Sequence, residues 1–253
     1  MIILKTDNEI KIMREANRIV AIVLSELNDH VRPGVSTYEL DKFAEEKIIS
    51  LNAVPGFKGY GWGKRRFPAT LCTSVNDQVV HGIPSKEVIL EEGDIIGVDV
   101  GTIYNGFFGD GAYTYAVGRV NDDAKHLMET CEKALYKGID SAKEGKRVSD
   151  ISNAIDKFVR SEGFEIVRDL TGHGIGRNLH EDPQIINYNN GIKGKKLSRN
   201  MTMAIEPMIT NGDFQVKTLG DEWTVVTADG SLSTHYEHTI AISDNGPEIL
   251  TRV

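Results

Sequence analysis

The sequence predicts an α+β fold, in which a mainly antiparallel sheet is covered by helices on one face. Two pairs of segments have the apolar spacing of helices, and strand-like segments follow each pair. Asn105-Gly106 joins two β-type runs as a two-residue hairpin turn. Because hairpin connections predominate, the strands are expected to pair antiparallel.

The first helix is predicted from residue 7 to about residue 29, where apolar residues recur at helical spacing. Thr6 and Glu9 have the spacing of a capping box, in which each side chain satisfies a backbone N–H of the other residue. The second helix is predicted to begin after Ser36, which forms the same pattern with Glu39.

The strand-like segments are short and follow each helical block. In chain order they are Thr70–Val75, Val88–Leu90, Ile95–Gly101, Gly111–Val117, Met201–Ile205, Trp223–Thr227 and His235–Ser243.

A second helix–glycine–cap–helix pattern, "LYKGIDSAKEGKRVSDISNAIDKFV", indicates a weak internal duplication. Its Gly145 corresponds to Gly34 of the first pattern, and a polar cap and an acidic residue follow both glycines. We therefore expect one domain over residues 1–253, built from two halves of roughly 1–118 and 119–253.

Composition and charge limit the possible classes of protein. The chain has 253 residues and a formal net charge of −8, which argues against nucleic acid as its main partner. Cys72 and Cys131 are isolated in sequence, so no disulfide framework is expected. The N-terminal residues form no targeting signal, and no apolar run is long enough to span a membrane. These features predict a cytoplasmic protein.

The predicted hairpin places two carboxylates on one face. In "GVDVGTIYNGFFGDGAYTY", a turn at Asn105-Gly106 pairs Gly101 with Asp110 and Asp99 with Ala112. Asp99 and Asp110 are then diagonal neighbours, roughly 7–8 Å apart. The small residues opposite them leave space above the sheet, where a cation would offset the cost of burying charge. A solvated hairpin face is the alternative.

Three later stretches also carry potential metal ligands: His173 in "TGHGIGRNLHEDP", Glu206 in "MAIEPM" and Glu237 in "THYEHTIAI". Each alone is also explained as an ordinary structural or solvated residue. Together with the two aspartates they form an oxygen-rich set, unlike the Cys/His sites of structural zinc. Such a set suits two divalent ions about 3.5–4 Å apart with bridging carboxylates.

Five ordered motifs, "SVNDQVVHGIP", "GDIIGVDVGTIYNGFFGD", "TGHGIGRNLHEDP", "MAIEPM" and "YEHTI", resemble those of type I methionine aminopeptidases. The resemblance covers essentially the whole chain. It implies the pita-bread fold, in which two pseudo-symmetric halves form a curved, mainly antiparallel sheet covered by helices. It also implies removal of the N-terminal methionine from peptides and nascent proteins by a metal-activated hydroxide.

The resemblance further implies residue roles. The dinuclear metal site, for cobalt, manganese, iron or zinc, is formed by Asp99, Asp110, His173, Glu206 and Glu237. Glu206 also shuttles the proton, His180 stabilises the developing oxyanion, and His81 lies near the scissile nitrogen. The methionine pocket is formed by Cys72, Trp223, Tyr60 and Phe67, together with the two accessory histidines.

The chain departs from the family pattern around the substrate pocket. The segment "GWGKRR" between Tyr60 and Phe67 is longer than usual. Leu179 replaces an aromatic residue, Val80 replaces a cysteine, and His235 replaces an amide side chain. We therefore expect differences in substrate fit rather than in the chemistry.

Two other functions fit the same motifs: a proline-directed aminopeptidase or prolidase, and a binding protein that has lost catalysis. The prolidase relatives generally carry an additional N-terminal domain, and non-catalytic relatives typically lose metal ligands. We also expect a monomer without membrane association. A transient contact with ribosomal RNA is predicted through the basic loop formed by Lys193, Lys195, Lys196 and Arg199.

Overall fold

Four helices and seventeen short strands make up the fold in the computed structural model, which describes residues 1–63 and 65–253. Lys64, within the "GWGKRR" segment, lies outside the described residues. Within the described ranges, no helix is both long and apolar enough to cross a lipid bilayer.

The helices are α1 (Asp7–Leu27), α2 (Thr37–Ser50), α3 (Asp122–Ser141) and α4 (Val148–Ser161). The strands are β1 (Val54–Pro55), β2 (Gly61–Trp62), β3 (Arg65–Arg66), β4 (Leu71–Val75), β5 (Gln78–Val80), β6 (Ile95–Tyr104), β7 (Phe107–Ala116), β8 (Glu165–Ile166), β9 (Gly172–Gly174), β10 (Glu181–Ile185), β11 (Thr202–Ile205), β12 (Met208–Thr210), β13 (Val216–Thr218), β14 (Val225–Thr227), β15 (Ser233–His235), β16 (His238–Ser243) and β17 (Gly246–Ile249).

Two sheets form the framework of the molecule. In the first, β6 pairs with β1, β4 and β7; in the second, the strand order is β10-β9-β11-β16-β17. Smaller sheets join β15-β12-β8, β13-β14-β5 and β2-β3. Every pairing among the described strands is antiparallel, so the α+β prediction is confirmed.

The β6–β7 hairpin has the register predicted from its turn. Asn105 and Gly106 both have positive φ, 47° and 78°, as this two-residue turn requires. Asp99 therefore lies opposite Ala112, and Gly101 lies opposite Asp110.

Each helix pair covers one of the two main sheets. Both predicted capping boxes are present, at the starts of α1 and α2. Apolar side chains of α1 and α2 pack with those of β4 and β6, whereas α3 and α4 pack with β11 and β16. These clusters hold the two sheets rigidly beneath the helices.

The turn before the second helix of each pair is repeated in detail. Gly34 and Gly145 both have positive φ, 87° and 82°, which favours glycine. The N–H of Gly34 donates to Leu90 O, and that of Gly145 donates to Leu197 O. This correspondence supports the predicted internal duplication; the boundary near residue 118 stays a prediction.

Three strand predictions were wrong, each because backbone groups pair elsewhere. Val88–Leu90 forms only an isolated bridge, since its backbone groups form hydrogen bonds with the turn that precedes α2. Strand β14 begins at Val225 rather than at Trp223, because the backbone N–H groups of Trp223 and Thr224 donate to the Asp221 carboxylate. His235–Ser243 is interrupted at Glu237, whose backbone pairs with Ala112 of β7.

A buried ion pair joins the N-terminal segment to the first residue of β10. Lys5 Nζ lies 2.5 Å from Glu181 Oε2, and both side chains are only 4% exposed. Glu181 Oε1 also accepts the N–H of Asn178, and the N–H of Lys5 donates to Asn200 O. Because the lysine is buried with its partner, removing one charge leaves the other without compensation.

We expect Lys5→Met to lower the free energy of unfolding by about 3–5 kcal/mol, because it leaves the Glu181 carboxylate buried and unpaired. Urea denaturation measures the change. The matched control is Arg18→Met, which removes an exposed pair with Glu15 and is expected to lower stability by no more than about 1 kcal/mol. Equal losses in the two variants would contradict the assignment.

Candidate metal centre

One cavity of about 160 Å³ gathers the residues predicted to form the site. Its lining includes the predicted metal ligands and accessory residues: Asp99, Asp110, His173, Glu206, Glu237, His81, His180, Cys72, Trp223, Tyr60 and Phe67. These residues come from distant parts of the chain, so their meeting is a property of the tertiary fold. Their individual roles stay predictions.

The two main sheets meet at the metal-ligand set. Asp99 and Asp110 lie on β6 and β7, and His173 lies on β9. Glu206 directly follows β11, which lies between β9 and β16 in its sheet. Glu237 joins the sheets, because its backbone N–H donates to Ala112 O of β7 at 2.9 Å.

His173 faces two of the carboxylates. Its Nε2 lies 3.7 Å from Asp110 Oδ2 and 3.4 Å from Glu206 Oε1. Its Nδ1 lies 2.9 Å from Gly174 O, so the ring donates there and leaves Nε2 unprotonated in the neutral form. Ligand atoms of Asp110, His173 and Glu237 lie within 4.8 Å of one another, a separation that one divalent ion can bridge.

Burial perturbs the pKa of each carboxyl group in the set. Burial raises the pKa of Asp99 to about 7. The pKa values of Asp110, Glu206 and Glu237 are raised well above their usual range, first by burial and then by the neighbouring carboxylates. Without a compensating cation, these groups cannot all be ionised at neutral pH.

Unpartnered oxygens show that the donor set fits a metal. Asp99 Oδ1, Asp110 Oδ1 and Glu237 Oε1 are buried and have no hydrogen-bond partner within residues 1–63 and 65–253. Buried carboxylate oxygens without donors are unfavourable unless a cation binds them. Oxygen atoms with one imidazole nitrogen are ligands that divalent transition metals accept.

His235 lies at the site, although the motifs did not assign it there. Its Nε2 is buried with no hydrogen-bond partner in the described part of the chain, 3.8 Å from Glu206 Oε2 and 4.0 Å from Glu237 Oε2. Burial lowers the pKa of His235 to about 3, so the ring is neutral. The signal was available, because strand alternation places His235 on the same face as Glu237.

The two accessory histidines lie beside the metal-ligand set. The His180 ring is edge-on to that of His173, with centroids 4.4 Å apart. Burial lowers the pKa of His81 to about 4, so it too is neutral. His81 has a positive φ of 59°, and a Cβ on the next residue, Gly82, would lie 2.1 Å from Thr73 O. This close approach to β4 holds His81 in an unfavourable backbone conformation, as is often found at functional sites.

Apolar side chains form the cavity wall. Phe67 packs edge-to-face on Trp223, with ring centroids 5.3 Å apart. Burial raises the pKa of the Cys72 thiol well above its usual value, so this wall residue is neutral. Val80 and Leu179, noted as departures from the family pattern, also line the cavity.

Four further lining residues were not predicted: Phe57, Leu170, Thr171 and Met208. The structure also corrects the expectation of open space above both small hairpin residues. A Cβ on Gly101 would lie 2.4 Å from Cε1 of Phe57, so the aromatic ring fills that space. Nothing in the local sequence pattern of Phe57 indicates this contact.

Comparison with known proteins agrees with this geometry. Residues 11–244 match the family described as Metallopeptidase family M24. The chain is 52% identical over 253 residues to "Methionine aminopeptidase 1" of Bacillus subtilis, with all of both chains covered.

Solved structures of methionine aminopeptidases are also similar to this chain. The crystal structure of a methionine aminopeptidase from Thermotoga maritima superposes with a TM-score of 0.97 at 45% identity, over 100% of both chains. An Xaa-Pro dipeptidase from Bacillus anthracis has a TM-score of 0.78 at 24% identity; the match covers 99% of this chain and 62% of the dipeptidase. That second likeness concerns the fold alone. With its curled antiparallel sheet, four helices and matched sequence, the chain belongs to metallopeptidase family M24 and has the pita-bread fold.

Proposed function

We propose that this chain is a metal-dependent aminopeptidase that removes the N-terminal methionine from peptides and nascent proteins. The observation that carries the proposal is one apolar-walled cavity whose lining includes His173 and four carboxyl groups, of which Asp110 and Glu237 are buried and Asp99 and Glu206 partly buried. The full-length similarity to methionine aminopeptidases supports the same activity.

Two divalent ions fit the charge of the donor set. The four carboxylates, Asp99, Asp110, Glu206 and Glu237, carry four negative charges that two dications balance. Manganese, iron, cobalt and zinc all accept oxygen donors with one imidazole. When bound, such ions acidify a shared water molecule and polarise a carbonyl group.

Glu206 is placed to move the proton in the proposed reaction. Its Oε1 faces His173 and its Oε2 faces His235, while 13% of its side chain remains accessible from the cavity. In the proposed role it accepts the proton of the attacking water and passes it to the leaving amine.

The two accessory histidines bind the reacting peptide. His180 donates a hydrogen bond to the oxygen of the scissile carbonyl as negative charge develops there. His81 lies near the scissile nitrogen and orients the leaving group. Both rings line the same cavity as Glu206.

The apolar part of the cavity accepts the methionine side chain. Cys72, Phe67 and Trp223 supply its wall, and Met208 and Leu179 extend it. An unbranched, polarisable thioether adapts well to such a wall. The free α-amine of the substrate lies near Asp99, which limits cleavage to the first residue.

Neither alternative function is favoured. A proline-directed enzyme is supported only by fold-level similarity, and a non-catalytic protein has no need for a converged set of buried ligands. A ribosome contact would use Lys193, Lys195 and Lys196, which are exposed. Arg199 is already paired with Asp7 and Asp244. We infer that the protein acts in the cytoplasm as a monomer.

Methionine release from Met-Ala-Ser is the direct test of the proposed function. We expect release with manganese, iron, cobalt or zinc present and none after exhaustive chelation, with activity restored by adding the metal back. An X-Pro dipeptide is the control substrate and is expected to be cleaved at least about 100-fold more slowly. Faster cleavage of the X-Pro dipeptide would favour the proline-directed alternative.

Replacing the proposed proton shuttle tests the role of Glu206. We expect Glu206→Gln to lower kcat about 10²–10⁴-fold, because the amide cannot accept the proton. Chromatographic assay of methionine release measures kcat, and metal analysis shows whether the ions are retained. The control Glu222→Gln changes an exposed glutamate and is expected to have no effect. Full activity of Glu206→Gln would refute the shuttle role.

The raised pKa values predict how the metal-free protein responds to pH. Burial raises the pKa of Asp99 to about 7 and those of the other three carboxyl groups well above their usual range. The buried histidines, with lowered pKa values, act in the opposite direction below about pH 6.5. Between pH 7 and pH 8 the histidines are neutral in both states, so the native state holds more protons than the unfolded state and its stability falls as the pH rises.

We expect the midpoint of thermal unfolding of the chelated protein to decrease from pH 7 to pH 8. The unfolding midpoint of the manganese-loaded protein is expected to decrease less, because bound cations stabilise the ionised carboxylates. Asp99→Asn is expected to reduce the pH dependence of the chelated protein. Scanning calorimetry measures the unfolding midpoints of all three samples. A pH-independent midpoint for the chelated parent would contradict the expectation.

A further inference from the structure

The phenol of Tyr60 forms a direct hydrogen bond with the imidazole of His180. Tyr60 Oη lies 2.6 Å from His180 Nδ1, and the two rings meet edge-to-face with centroids 5.5 Å apart at 68°. From the sequence, Tyr60 was predicted only as a residue of the pocket wall. The contact joins residues 120 positions apart in sequence.

The backbone holds Tyr60 in place for this contact. Its N–H donates to Phe57 O and its carbonyl accepts the N–H of Phe67, both at 2.8 Å. The β2–β3 hairpin begins at the next residue, Gly61, which has a φ of 113°. The far side of the hairpin lies against the cavity wall, where the guanidinium of Arg65 is 5.8 Å from the Trp223 ring centroid. These contacts anchor the backbone from which the Tyr60 side chain reaches His180.

The direction of the hydrogen bond decides which ring nitrogen of His180 carries the proton. Burial raises the pKa of Tyr60, so its hydroxyl group is protonated and available as a donor. An imidazole nitrogen with a free lone pair is a better acceptor than a phenol oxygen. If Tyr60 donates to Nδ1, the proton of the neutral His180 ring is on Nε2.

We propose that Tyr60 is a positioning residue that holds His180 in the Nε2–H tautomer, with Nε2 free to donate to the substrate. This inference rests on the proposed aminopeptidase function, in which His180 donates to the developing oxyanion. The opposite tautomer would present a lone pair to that oxygen and repel the developing negative charge. The segment that lengthens this rim of the pocket begins immediately after Tyr60.

The tautomer can be measured without reference to activity. The sample is zinc-loaded protein with ¹⁵N-labelled histidine, and the His180 ring signals are assigned by their loss in His180→Gln. We expect the ¹⁵N shifts of the parent to show an unprotonated Nδ1 and a protonated Nε2. In Tyr60→Phe, which keeps the ring and removes only the hydroxyl, the two shifts are expected to move towards each other as both tautomers become populated. A proton on Nδ1 in the parent, or unchanged shifts in Tyr60→Phe, would overturn the proposal.

Kinetics separate a positioning role from a general effect on packing. We expect Tyr60→Phe to lower kcat about tenfold, below the 10²–10³-fold loss typical of removing an oxyanion donor outright, with KM within about twofold of the parent. In the His180→Ala background, Tyr60→Phe is expected to have no further effect on kcat. Equal losses in the two backgrounds would show that Tyr60 acts independently of His180.

A second tyrosine–histidine pair provides the matched control. Tyr136 Oη lies 3.3 Å from His238 Nε2, and neither residue lines the active-site cavity. Tyr136→Phe removes the corresponding hydroxyl group from this second pair and is expected to leave kcat unchanged. If the parent releases no methionine from Met-Ala-Ser, the proposed function fails, whereas the ¹⁵N shifts still decide what Tyr60 does to His180.

Discussion

One electrostatic constraint underlies the structure: four carboxyl groups, two buried and two partly buried, line a single cavity. Burial raises the pKa of each of them, and three of their oxygens have no hydrogen-bond partner among the described residues. Such an arrangement is unfavourable for a protein alone and becomes favourable when divalent cations supply the opposing charge. The fold thus supplies the rigidity that holds the carboxylates together, and the cations supply the stabilisation.

The two sheets provide that rigidity because they share backbone hydrogen bonds at the site. Glu237 and Ala112 exchange backbone bonds, and Thr239 Oγ1 donates to Asp110 O at 2.8 Å. The same pairing interrupts the strand at Glu237. A local irregularity in one sheet therefore brings a ligand of that sheet to the aspartates of the other.

Segments outside the sheets position the groups that are expected to contact the substrate. The Lys5–Glu181 ion pair holds the residue that follows His180, and the Tyr60 hydroxyl group forms a hydrogen bond with the His180 ring. Phe57 fills the space above Gly101. Three of the predicted metal ligands thus lie on strands, and Glu206 and Glu237 lie directly beside strand ends, whereas the substrate side of the cavity depends on loops and on the N-terminal segment.

The sequence by itself determined the features that depend on short-range geometry. The Asn105-Gly106 turn set the hairpin register, the Thr6 and Ser36 capping boxes set two helix starts, and ordered motifs identified the ligand candidates. The strand break at Glu237 and the bond between Tyr60 and His180 became visible only in the folded chain. Turns and caps are fixed by residues a few positions apart, whereas these contacts depend on how distant segments pack. No local pattern encodes that packing.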